Sequence, residues 1–377
     1  MKKLYITIIA LFAAVAASAQ NTQDAAAQAA AALSASEDVA QKVEKPKYWD
    51  SSITTSINFG QTFLSQWAAG GYNNVSISGN LDAVANYAKD KITGTNHLQL
   101  DYGQMYSADK PIFQKTKDRI YFESKWGYAS QIKNLAYSGS FDFKTQFGKN
   151  FAYKTPKSDG ETEPTAEDWL NARNLKSGFF SPAYVNLGVG VLWTPAPWFS
   201  LNFSPLTGGA VFVILEELRY TYGMDLKPDS PYAEEIRHHQ EEYEMGGGVA
   251  SDETEQQARK WAYEAGAYDD FQIARMELGA QLKLDAAWVI NDVFSFNTQV
   301  NVFYNYLKPR VEPRINWDNK VTWKLLKYFG LTFTTNLIYD PFVLVRDTDG
   351  DGVADNKGVQ FKEFFEFGFV YTLKRKH

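Results

Sequence analysis

The chain is marked by long stretches in which apolar and polar residues alternate one by one, a period that places successive side chains on opposite faces of a strand. In 293–306, Phe294, Phe296, Val300, Val302, Tyr304 and Tyr306 share one face, while Ser295, Asn297, Gln299, Asn301 and Asn305 share the other. Segment 274–290 sets Met276, Leu278, Leu282, Leu284, Trp288 and Ile290 against Arg275, Glu277, Gln281, Lys283 and Asp285. Segment 329–339 sets Phe329, Leu331, Phe333, Leu337 and Tyr339 against Gly330, Thr332, Thr334 and Asn336. Strands of soluble sandwiches average about five or six residues. These are about twice as long, with one face suited to lipid and the other to water, and that combination is the signature of a transmembrane β-barrel.

The spacing predicts strands at 52–63, 74–89, 92–105, 118–131, 135–149, 181–194, 198–215, 272–290, 293–307, 314–327, 329–341 and 359–374. The expected fold is therefore all-β, a closed antiparallel transmembrane β-barrel of about 12 strands, an even count as single-chain bacterial barrels have. Tight turns alternate with long connections at 64–73, 106–117, 150–180, 216–271, 308–313 and 342–358. Short periplasmic turns opposite long external loops would put both termini in the periplasm and the chain in the outer membrane of a Gram-negative cell. The final strand, with Phe361, Phe365, Phe367, Phe369, Tyr371 and Leu373 on one side, resembles the terminal signal read by outer-membrane assembly machinery, an expected partner during insertion beside the outer-membrane lipids.

Ahead of the barrel, Lys2 and Lys3, the apolar run Leu4 to Val15, and Ala17-Ser18-Ala19 read as a signal peptide over 1–19. Residues 20–47 follow as an Ala-rich periplasmic segment, and 48–377 form the barrel with external loops at 150–180 and 216–271. No later apolar stretch approaches the roughly 18 residues of a spanning helix. Aromatic residues make up 15% of the chain although it is mildly polar overall, which a barrel reconciles because only alternate residues meet lipid. There is no cysteine, so disulfide frameworks and thiolate metal sites are excluded. Removing Lys2 and Lys3 from the 38 basic residues leaves 36 against 44 acidic ones, a net charge of −8, and no nucleic-acid partner is expected.

The matching stretches Ser65-Gln66-Trp67-Ala68-Ala69-Gly70-Gly71 with Asn73, Tyr102-Gly103, Asp142 to Phe147, Ser181 to Gly190, Ser204 to Gly208 and Gln360 to Tyr371 resemble a family of uncharacterised outer-membrane proteins from the Bacteroides branch of Gram-negatives, a domain of unknown function. The resemblance spreads over nearly all of 48–374 and implies a barrel, with no activity to carry over. The insertion at 216–271 is longer and more helical than the family pattern.

Catalysis at a barrel rim would need a Ser/His or Asp/His arrangement. His97 lies on a polar strand face with Thr95, Gln99 and Asp101, and a turn at Asp90-Lys91 would bring Asp82 near Gln99 and diagonally near His97. Asp101 stands about 13 Å along the strand, too far to orient the imidazole, so a lumen hydrogen-bonding role is favoured and no catalytic or cofactor residue is assigned. Glu123, Lys125, Asp142, Lys144, Arg275, Glu277, Lys283, Asp285, Asp318, Lys320, Lys324, Lys362 and Glu366 also face the lumen. Mixed signs this dense point to ion-pair networks filling a narrow interior, where a selective pore would carry one sign.

In 216–271, Ser230-Pro231 opens a helix that Gly246-Gly247-Gly248 stops, and Asp252 with Glu255 caps a second helix ending near Gly266, giving a helical hairpin inserted in an extracellular loop. Glu235, His239 and Glu242 would share a helix face, more simply a solvated charged face than a metal site. Trp67 reads as an interfacial aromatic anchor. Asp347, Asp349 and Asp351, with the Val353 carbonyl and Asp355, reproduce the opening of a calcium loop. Position 12 is Gly358 where a bidentate Glu would complete the set, so the expectation is a weak Ca²⁺ site or a solvated turn. Three functions remain, in order: a structural or narrow-transport barrel, an accessory or surface-interaction protein using 216–271 or 21–46 to hold a protein partner, and a lipid-modifying enzyme centred on His97.

Overall fold

The structure, a computed structural model, describes residues 48–62, 73–156, 164–234, 252–291, 293–326, 328–348 and 354–375. Its strands are β1 (Trp49–Thr62), β2 (Asn74–Lys89), β3 (Ile92–Ser107), β4 (Lys110–Ala129), β5 (Leu135–Thr145), β6 (Asn150–Tyr153), β7 (Arg173–Ser177), β8 (Ala183–Ala196), β9 (Phe199–Phe212), β10 (Ala274–Val289), β11 (Phe294–Asn305), β12 (Arg314–Leu326), β13 (Phe329–Arg346) and β14 (Asn356–Arg375). Twelve of them close a barrel in the order β1-β14-β13-β12-β11-β10-β9-β8-β5-β4-β3-β2, while β6 and β7 pair as a separate ribbon. Every barrel pairing is antiparallel, and the circle closes where Phe59 on β1 meets Phe367 on β14.

Closure leaves the sheet without an edge, so every strand of the circle has a neighbour on both sides for its backbone amides and carbonyls. The pleat then sorts side chains by face. Leu187, Met276, Phe361, Phe365 and Phe369 stand more than 60% exposed on the outside, whereas Glu123, Asp142, Glu277 and Lys283 are buried inside. That is the reverse of a water-soluble barrel. Exposed aromatic rings gather beside the short turns, where Trp198 stacks on Trp288 at 6.1 Å and Trp193 meets Phe199 edge-on at 6.0 Å. Rings with a polar edge suit the boundary between hydrocarbon and headgroups.

Two glycines allow the sheet to bend. The β8–β9 register shifts across Gly190, where a Cβ would lie 2.0 Å from the Phe203 carbonyl oxygen, and the β9–β10 register shifts after Gly279, where a Cβ would lie 1.9 Å from the Tyr304 oxygen. No side chain fits at either bulge.

The strands depart from the expected ones mainly at the long-loop end. Segment 106–117, expected as a long loop, is instead paired: β3 and β4 run on to Ser107 and Lys110, and Tyr106 packs on Phe113 at 5.5 Å. Asp109, Lys110 and Pro111 interrupt the apolar alternation there and conceal the strand. In the opposite sense β5 stops at Thr145 instead of 149, because the Asp118 carboxylate draws the chain aside by accepting from the Phe147 and Gly148 amides at 2.6 and 2.9 Å. The 150–180 connection holds the β6–β7 ribbon and a short helix, α1 (Ala166–Asn171). β13 and β14 also extend beyond their expected bounds, to Arg346 and from Asn356.

Segment 216–271 contains helical residues 231–234 and the helix α2 (Asp252–Glu264), which ends before Gly266 at φ +74°. It builds a small core of its own, with Leu218, Tyr220, Met224, Leu226, Ala262 and Phe271 packed on Val213. Residues 235–251, with His238, His239, Glu235 and Glu242, lie outside the described residues, as do the leader and lead over 1–47, Trp67 and its loop, and Asp349, Asp351 and Val353.

Candidate functional site: a lumen crossed by ion pairs

Each lumen side chain comes from an inward position of a barrel strand, so the register decides which charges can meet. Asp82 on β2 faces Gln99 on β3, one step from His97. The Asp82 carboxylate accordingly sits 3.0 Å from His97 Nε2 and accepts from Gln99 Nε2 at 3.3 Å. Asp101, remote from the imidazole, lies beside Arg119 at 3.5 Å.

Other contacts reach across the circle. Lys125 on β4 donates to Asp285 on β10 at 2.5 Å and lies 3.1 Å from Glu123. Lys283, 1% exposed, binds Glu123 at 2.8 Å and also Asp142 on β5. Arg119 meets Asp318 on β12 at 3.3 Å, and Asp318 also accepts from Asn336 and Asn316. Lys117 pairs with Glu366 on β14, whose other oxygen accepts from Ser78. Towards the long-loop end, Glu277 holds Arg275 at 3.2 Å and Arg314 at 3.0 Å, while Asp340 lies 3.8 Å from Arg314 and accepts from Tyr184. Of these groups, Lys117, Arg119, Glu123, Lys125, Asp285, Asp318 and Glu366 line a cavity of about 1120 Å³, together with Asn80, His97, Lys144, Asn297, Lys320 and Thr334.

Opposite charges four to six strands apart can bond only because the barrel is narrow. Charge in a low-dielectric shell is tolerable when paired and hydrogen-bonded, and removing one partner is costly. The bridges therefore fill the bore as side chains do in small barrels, while leaving a cavity between their levels.

The long-loop mouth carries a backbone cap. Arg275 donates to the carbonyls of Tyr222 at 3.2 Å and Gly223 at 2.7 Å, and the Leu344 amide donates to Thr221 at 2.9 Å. Burial pushes the Tyr222 phenol above its ordinary range, so it stays neutral and donates to the Lys176 carbonyl at 3.0 Å. Buried Arg219 anchors the cap by donating to the carbonyls of Val213, Ile214, Tyr268 and Phe271. The alternation identified the lumen charges, but not this cap. The signal available for it was the pair Arg219-Tyr220 in an otherwise loop-like run.

At the rim, Asp355 accepts from the Thr348 amide at 3.0 Å and its hydroxyl at 2.5 Å. Of the calcium-loop residues only Asp347 and Asp355 fall among the described residues.

Residues 59–151 match the model of a family described as a protein of unknown function (DUF3078). No curated protein matches. Among solved structures, the chain is similar to an outer membrane channel from Pseudomonas putida F1, at 10% identity over 88% of this chain and 97% of that one, with a TM-score of 0.32. It is also similar to the translocator domain of the autotransporter NalP from Neisseria meningitidis, at 9% identity over 93% and 97%, TM-score 0.31. The siderophore receptor PirA from Acinetobacter baumannii matches at 10% identity over 89% of this chain and 51% of that one, TM-score 0.31.

Proposed function

We propose that this protein is an integral outer-membrane barrel, exported by its N-terminal signal and inserted by the outer-membrane assembly machinery, with both termini periplasmic. Its lumen serves as a narrow polar conduit that passes small hydrophilic solutes or none. The observation that carries this reading is the set of ion pairs spanning the bore between β4 and strands β10, β12 and β14. A bore bridged at three levels resists bulk flow, and the cap over the long-loop mouth restricts it further.

Single-channel recording of purified protein in planar bilayers tests this. Small or absent openings are expected, and large stable openings would overturn it. The His97 imidazole is engaged with Asp82 and serves lumen hydrogen bonding in this reading. His97→Ala should therefore leave the membrane-lipid profile of the host unchanged, and altered lipid turnover would favour an enzyme. The packed core of 216–271 gives some support to a second role, as a platform for a protein partner. A partner that co-purifies with the whole chain and is lost on deleting 216–271 would support that role.

A further inference from the structure

Pairing in the lumen is uneven. Lys144 on β5 lines the cavity, yet among the described residues it makes no ion pair and no hydrogen bond. The carboxylates that bear on it, Asp318 and Asp142, are engaged by other donors. Asp318 gives one oxygen to Asn336 and the other to Arg119 and Asn316, while Asp142 gives one to Lys283 and the other to Asn186 at 2.7 Å. Directly across the β4–β5 pairing stands Tyr121, whose phenol likewise has no hydrogen-bond partner among the described residues. The Arg119 guanidinium lies 5.6 Å from the Tyr121 ring centre, with its Nε 3.5 Å from Asp101 and its Nη1 3.3 Å from Asp318. On the other side of Lys144 in the register is Tyr184, with Arg314 over its ring at 5.1 Å.

An ammonium and a phenol, unpartnered among the described residues and directly opposite each other in the register, are donors without an acceptor, and the Arg119 guanidinium beside Tyr121 adds positive charge. Charge-assisted donors of this kind favour an oxygen-rich anion that accepts from several at once. We propose that Lys144 and Tyr121, beside the Arg119 guanidinium, form a binding station for a small oxyanion, a carboxylate or a phosphate, partway along the lumen. The proposal rests on the reading of the lumen as a conduit and names the solute class that conduit favours.

The test is calorimetric titration of inorganic phosphate, and separately of succinate, into the full-length barrel in neutral detergent at low salt, where screening is weakest. Because it needs no conducting pore, its result is independent of the bilayer recordings. Heat from either anion with wild type, weakened at least tenfold in Lys144→Met and retained within a few-fold in Lys144→Arg, is the expected result. Phosphate alone would assign phosphorylated solutes, and succinate alone would assign carboxylates. No binding of either anion by wild type, or equal binding by Lys144→Met, would overturn the station. Far-UV circular dichroism checks that each variant is folded. If Lys144→Met does not fold, Tyr121→Phe reads the same station, and unchanged affinity in that variant overturns it.

Discussion

The guanidinium of Arg119 on β4 lies 3.3 Å from the carboxylate of Asp318 on β12. Counted along the circle through β5, β8, β9, β10 and β11, those strands are six places apart in a barrel of twelve, so this ion pair spans the full bore. Substituting Arg119→Ala together with Asp318→Ala removes both ends and leaves no uncompensated charge from the pair. The double variant should conduct measurably more than wild type in planar bilayers, and identical conductance would mean that the constriction lies elsewhere.

Lys283 holds Glu123 and Asp142 together with 1% exposure of its own side chain. Lys283→Met leaves buried Asp142 with no cation and Glu123 with Lys125 alone, and breaking a buried pair in this way costs about 3–5 kcal/mol. Urea unfolding of the refolded barrel in lipid should register the loss. The triple variant Lys283→Met, Glu123→Gln, Asp142→Asn should recover most of it.

Arg219 joins four carbonyls, two from 213–214 just before the 216–271 insert and two from its last residues. Hydrogen bonds from a charged donor contribute about 1.5–3 kcal/mol each, so Arg219→Met should loosen the cap. Limited proteolysis is expected to cut the insert faster while the barrel itself stays protected.

The α1 helix begins with a reciprocal cap, in which the Thr165 hydroxyl accepts from the Asp168 amide and the Asp168 carboxylate accepts from Thr165. Hydrogen bonds from the Thr165 side chain, then its backbone, hold the Asp168 carboxyl below its ordinary value of 3.8. A depressed folded-state pKa means that the cap contributes fully above 3.8 and is lost as pH falls through the lower folded value. Amide exchange across 164–172, corrected for intrinsic rates, should therefore quicken below about pH 4. In Thr165→Ala that acid step should be smaller.

Calcium added to chelator-stripped protein should release heat with an affinity in the weak extracellular range of about 10⁻⁴ to 10⁻³ M. The double variant Asp349→Ala, Asp351→Ala should release none. Equal heats from the two proteins would remove calcium from the 347–355 loop.

The alternation by itself determined the barrel, its twelve strands and the inward charges, because a pleated strand with lipid on one side and water on the other must repeat every two residues. Asp82 beside His97 was also legible, since the Asp90-Lys91 turn fixes the β2–β3 register. Connection 106–117 was not, because pairing continues there beyond the apolar pattern that reveals it. Nor could the sequence say that Lys125 meets Asp285, that Arg119 meets Asp318, or that Lys144 and Tyr121 meet no partner among the described residues. Those outcomes depend on distances across the bore, which strand tilt and closure set, and periodicity along one strand carries no information about them. The Arg219 cap belongs to the same class: its four carbonyls come from 213–214 and 268–271, brought together only when β9 and β10 pair and the insert folds back on itself.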